Sequence, residues 1–159
     1  MKDNSRIALH FVGIAIIAGA VFALITPLQY GFIYSSVIPY TGTSLDVWVD
    51  DFVIAAQLGA WITLGLVVLW YILGQWSLKV FSWQNGGKRL LWFILGVASV
   101  VASLGIGFLM TERTQAGGEW AWVFYTINPI LLYYASTLLF SPTAYKYAAP
   151  LATYVRRWG

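Results

Sequence analysis

Polar residues interrupt this chain only at intervals, leaving four long apolar runs at about residues 7–27, 52–74, 90–110 and 121–140. Each is close to the ~20 residues that an α-helix needs to cross a hydrocarbon core of about 30 Å. No run carries an ionisable residue at its centre. The pattern predicts an all-α integral membrane protein, with four transmembrane helices in a compact bundle that occupies residues 1–159 as a single membrane domain. An outer loop over 28–51, an inner loop over 75–89, a short outer turn and a tail over 141–159 complete it.

Local signals refine the ends of these runs. Pro27 removes a backbone donor and either kinks or stops the first helix, and the apolar, Tyr-rich stretch over 28–39 either prolongs it or lies along the outer interface. Thr43 and Asp46 have capping-box spacing and place the start of the second helix there, with Asp46 and Asp50 on one face. Asn85, Gly86 and Gly87 read as a turn before Lys88 and Arg89. Asn128 and Pro129 interrupt the fourth run, and Ser141, Pro142 and Thr143 end it.

Charge then orients the bundle. Lys2, Arg6, Lys79, Lys88, Arg89, Lys146, Arg156 and Arg157 fall on one side, whereas Asp46, Asp50, Asp51, Glu112 and Glu119 fall on the other with Arg113. Excess Lys and Arg mark the cytoplasmic side, so both termini are predicted to be cytoplasmic. The charged fraction is 9% and the mean hydropathy +0.74, against the roughly 25% charge of a soluble domain. The net charge of +3 is accounted for by the span ends, so no nucleic-acid partner is expected. The first run is too long for a signal-peptide core and is expected to remain as a span. Short loops and the lack of an Asn-x-Ser/Thr acceptor favour a bacterial or archaeal inner (cytoplasmic) membrane.

Small residues recur at four-residue spacing in three runs: Ala15, Gly19 and Ala23; Ala55 and Gly59, with Ala56 and Ala60; and Ser99, Ser103 and Gly107. Such stripes let helix backbones approach closely, either inside the bundle or against another protein. The fourth run lacks one and is expected at the periphery. Nine Trp and ten Tyr sit mostly near span ends and read as an interfacial belt, including Trp48, Trp70, Tyr71, Trp76, Trp83, Trp92, Trp120, Trp122, Tyr125, Tyr145, Tyr147, Tyr154 and Trp158. A lipid or quinone pocket around Trp61, Tyr133 and Tyr134 is a secondary reading that no motif supports, so no cofactor is assigned.

Asp46, Asp50 and Asp51 form an acidic outer rim, which is either a solvated face or the mouth of a cation path. Gln57, Thr63, Ser99, Ser103 and Asn128 are the deepest polar groups and suit hydrogen bonds between helices, Asn128 by covering backbone freed by Pro129. His10 is the only histidine and the chain has no Cys, so neither a metal set nor a catalytic triad can be assembled from neighbouring ligands. No catalytic constellation is found and no enzyme activity is expected.

The leading expectation is a non-catalytic protein that acts by helix packing, as a subunit of a larger membrane complex or as a homo-oligomer, with membrane lipids and other subunits or copies of itself as partners. A homo-oligomeric cation channel or small transporter is one alternative. The topology is similar to that of some bacteriocin immunity proteins, which makes a membrane immunity or defence role another.

Overall fold

The computed structural model describes residues 2–39, 42–80, 85–111, 114–142 and 145–155. Nearly all of them are helical, and three helical stretches, Ser5–Ser36, Leu45–Gln75 and Gly86–Met110, are long and apolar enough to cross a membrane. They pack together with a fourth long helix. Of the residues that carry the charge and aromatic patterns, Tyr40, Trp83, Glu112, Arg113, Arg156, Arg157 and Trp158 lie outside the described set, as do the side chains of Lys2, Trp76 and Lys79.

The first helix passes through Pro27 instead of ending there. Helix α1 (Lys2–Ala23) leads into a π-helical segment (Leu24–Gln29) and on into α2 (Tyr30–Ser36). A proline ring clashes with the carbonyl four residues back and supplies no N–H. Widening the helix by one residue per turn accommodates it, and the Tyr30 N–H bonds to the Ile25 carbonyl across the wider turn. Most of the expected outer loop is consequently helix.

Ser44, not Thr43, caps the next helix: its hydroxyl accepts from the Val47 N–H at 3.3 Å. Helix α3 runs over Leu45–Val80 and α4 over Asn85–Met110. Asn85, Gly86 and Gly87 therefore form the first turn of α4 instead of a turn ahead of it. Helix α5 (Glu119–Leu139) places Glu119 in its first turn, where a negative charge complements the helix dipole. A short helix α6 (Ala152–Val155) follows.

Helix α5 is not peripheral. It packs against α1, α3 and α4, and buries Tyr125, Asn128, Leu132, Tyr133, Ser136 and Thr137. The stripes explain how: Gly59 of α3 meets Ser103 of α4 so closely that a β-carbon at Gly59 would lie 2.5 Å from the Ser103 Oγ. The Tyr125 ring of α5 lies directly against Gly107 of α4. Two apolar clusters result, one around Trp48, Phe52, Tyr125 and Leu132, the other around Trp70, Tyr71, Leu95 and Tyr133.

Several aromatics expected in an interfacial belt belong to these clusters. Trp48 is 2% exposed and stacks parallel to Phe52. Trp70 packs on Tyr145 and donates its indole N–H to the Ser141 hydroxyl at 3.2 Å. Trp120, Trp122, Tyr147 and Tyr154 remain exposed, as an interfacial role requires.

At the α4–α5 end of the bundle, β1 (Ile38–Pro39) pairs antiparallel with β2 (Thr114–Ala116), joining two helix connections. Gly117 follows with φ +80°, and a β-carbon there would lie 1.8 Å from the Ser36 carbonyl oxygen. Gly117→Ala should therefore destabilise the protein by about 1–3 kcal/mol or more, because both the left-handed backbone and the contact penalise a side chain. Gly65→Ala, at a helical site open for 4 Å around, should be neutral or stabilising by up to about 1 kcal/mol. Thermal unfolding in detergent, followed by Trp fluorescence, checks both.

Candidate functional site

A reciprocal amide pair joins the first helix to α5. The Gln29 Nε2 donates to the Asn128 Oδ1 at 2.7 Å, and the Asn128 Nδ2 donates back to the Gln29 Oε1 at 2.9 Å. Both side chains are buried, within the cluster that contains Ile25, Ile33, Tyr125 and Leu132. Asn128 thus links two helices instead of covering backbone beside Pro129. Gln29 is not among the polar groups that the sequence places at depth; it follows Pro27, at a point where a helix can stop. The available signal is that each amide lies within two residues of a proline in an apolar run.

Most other polar groups bond to a neighbouring helix or back to their own, although the buried Ser136 hydroxyl has no hydrogen-bond partner among the described residues. Gln57 donates to the Thr26 hydroxyl at 3.3 Å, the Thr63 hydroxyl to the Gly59 carbonyl at 2.8 Å, and the Ser99 hydroxyl to the Gly96 carbonyl at 2.7 Å. Hydroxyls bonded back to their own helix leave a small apolar profile outward, which suits tight packing. His10 shares a 2.9 Å hydrogen bond with the Tyr71 hydroxyl and lies against the Phe140 ring. Among the described residues, no three His, Cys, Asp or Glu side chains are grouped as metal ligands would be.

The candidate packing residues divide into two groups. Gly59, Ser99, Ser103 and Gly107 face inward and form the seams among α3, α4 and α5. Ala15, Gly19 and Ala23 face outward, and a β-carbon at Gly19 would meet no atom within 4 Å. Helix α1 instead turns Ile14, Ala18 and Val21 toward its neighbours, and the π-helical segment after it does the same with Ile25.

The acidic rim is spread out. Asp46 and Asp50 are exposed, Asp51 is half-buried, and the Tyr34 hydroxyl is a neighbour of the Asp46 carboxylate. Trp48, Val49 and Phe52 fill the interior at this level.

Besides a cavity of about 620 Å³ at the Phe108 and Trp122 end of α4 and α5, two adjoining cavities lie on the outside of these helices nearer their other end. One, of about 310 Å³, is a furrow between Phe93, Val97 and Val101 of α4 and Ile130, Tyr133 and Tyr134 of α5. The other, of about 380 Å³, is walled by Arg89, Tyr147, Pro150 and Leu151. Trp92 and Phe93 line both. Trp61 does not join Tyr133 and Tyr134 there; it stands exposed on α3 against Phe22.

Removing one partner of the amide pair strands a buried polar group, whereas removing both does not. Asn128→Ala should cost about 1–3 kcal/mol, while Gln29→Leu with Asn128→Leu should cost less than the sum of the two single substitutions. A double-mutant cycle on unfolding midpoints in detergent measures that coupling.

No protein-family model, no curated protein and no solved structure matches this chain.

Proposed function

We propose that this chain is a four-span protein of a bacterial or archaeal cytoplasmic membrane, with both termini inside, which acts without catalysis by packing α1 against another membrane helix. That helix belongs either to a larger complex or to a second copy. The observation that carries this reading is the unequal use of the three stripes: those of α3 and α4 are consumed inside the bundle, and Ala15, Gly19 and Ala23 are presented outward. In lipid, helices associate through such small-residue surfaces because hydrophobic burial supplies no drive between them.

The fourth span is α5. Its 21 residues reach about 32 Å at ~1.5 Å per residue, enough for a hydrocarbon core. Its polar content, which lowers its overall hydropathy, is turned inward at Asn128, Ser136 and Thr137, while Val123, Ile127, Ile130, Leu131 and Leu139 are exposed. Four spans bring the two termini to one side, and the Lys and Arg bias makes that side cytoplasmic.

The native chain has no Cys, so a single introduced thiol reports contact without interference. Ala15→Cys should cross-link to itself in a homo-oligomer, or to a copurifying protein in a hetero-complex. Gly19→Ile should weaken association roughly tenfold while leaving the unfolding midpoint near that of the wild type. A monomer in mild detergent and in nanodiscs, with no copurifying protein and no response to Gly19→Ile, would overturn the reading.

A further inference from the structure

We propose that the furrow between α4 and α5 binds an anionic phospholipid, one acyl chain lying along Phe93, Val97 and Ile130 and the phosphate held at Arg89. This inference rests on the membrane reading above, and is independent of whether α1 associates with a partner.

The furrow offers carbon and almost no polar surface. Its three aromatic donors are already engaged: the Trp92 Nε1 donates to the Thr137 hydroxyl at 2.8 Å, the Tyr133 hydroxyl to the Trp92 carbonyl at 2.9 Å, and the Tyr134 hydroxyl to the Pro150 carbonyl at 2.8 Å. A quinone needs hydrogen-bond donors for its carbonyls, and the donors of this wall are committed elsewhere. An acyl chain needs none. From Phe93 to Val101 the helix rises about 12 Å, so the furrow follows a chain lengthwise.

Charge appears where that chain reaches its headgroup. The furrow adjoins the second cavity at Trp92 and Phe93, which line both, and there Arg89 is exposed and Tyr147 forms part of the wall. The Lys146 Nζ stands 5.3 Å from the centroid of the Tyr147 ring, adding a second cation beside the same cavity. A guanidinium suits a phosphate because its planar donors bond two oxygens at once. Two cations favour a lipid with net negative charge over a zwitterionic one, whose ammonium they repel. The rest of the cavity is also fixed: Leu151 is held at φ 65°, in the left-handed region, at the end of a turn pinned by the Tyr134 to Pro150 bond. A non-glycine residue in that conformation is strained and persists where its surroundings impose it.

The test places the full chain in nanodiscs of equimolar phosphatidylglycerol and phosphatidylcholine, and counts the lipids that remain bound on detergent extraction by native mass spectrometry. The wild type should retain phosphatidylglycerol in roughly fivefold preference, the scale of one interfacial cation. Arg89→Gln should reduce the preference markedly, leaving what Lys146 supplies, and Arg89→Lys should keep most of it. Val97→Phe, which fills the furrow and leaves Arg89 in place, should reduce retention of both lipids. Unfolding midpoints of the lipid-free variants, close to that of the wild type, exclude a folding defect as the cause.

Equal retention of the two lipids by the wild type, or an unchanged preference in Arg89→Gln, would overturn the inference. So would thermal stabilisation by inorganic phosphate equal to that by phosphatidylglycerol, which would identify a free-anion site. Release of the protein from membranes by alkaline wash would instead refute the membrane reading itself.

Discussion

Polar atoms in apolar surroundings must find their partners within the protein, and that requirement organises this bundle. An amide left unpaired away from water costs more than a hydrogen bond contributes, so Gln29 and Asn128 are stable at depth only when they face each other. Their reciprocal bonds set the register of the first helix against α5. Pro27 raises the same problem for the backbone: it is accommodated by a π-helical turn, so the chain continues as helix to Ser36 and carries Gln29 to its partner.

Helix α5 takes its central position partly for the same reason, through Asn128 and Thr137, although the buried Ser136 hydroxyl has no partner among the described residues. Its inward face carries Asn128, Ser136 and Thr137, and its outward face carries Ile127, Ile130, Leu131 and Leu139. Thr137 accepts from Trp92, and Tyr133 donates to the Trp92 backbone, so α5 is bonded to α4 as well as to the first helix. Close packing between α3 and α4 at Gly59 and Ser103 completes the arrangement. Once these faces are consumed, the outer features used in the two proposals have distinct chemistry: the surface of α1 along Ala15, Gly19 and Ala23, and the furrow beside Arg89. They lie on different helices, so the proposed association and the proposed lipid binding are open to separate tests.

The aromatic residues show the limit of reasoning from composition. Trp48 and Trp70 occupy positions near the ends of an apolar run, where an amphipathic ring suits the interface. Both are buried instead, because Trp48 stacks on Phe52 and the Trp70 indole finds the Ser141 hydroxyl from a segment far along the chain. A belt position and a core position differ only in what approaches the ring, which the local sequence does not specify.

Hydropathy and length alone determined the helical class and the three stretches able to cross a membrane, because an apolar helix of that length has few other stable settings. The small-residue spacing also located the seam at Gly59, Ser103 and Gly107. Which face of each helix turns inward was decided by tertiary structure. In a soluble helix the apolar side marks the core, but here Ile14 and Ile16 are equally apolar, one buried and the other exposed. Only the fit of side chains across the seams and the pairing of distant amides separate the face that packs from the face left for lipid or partner.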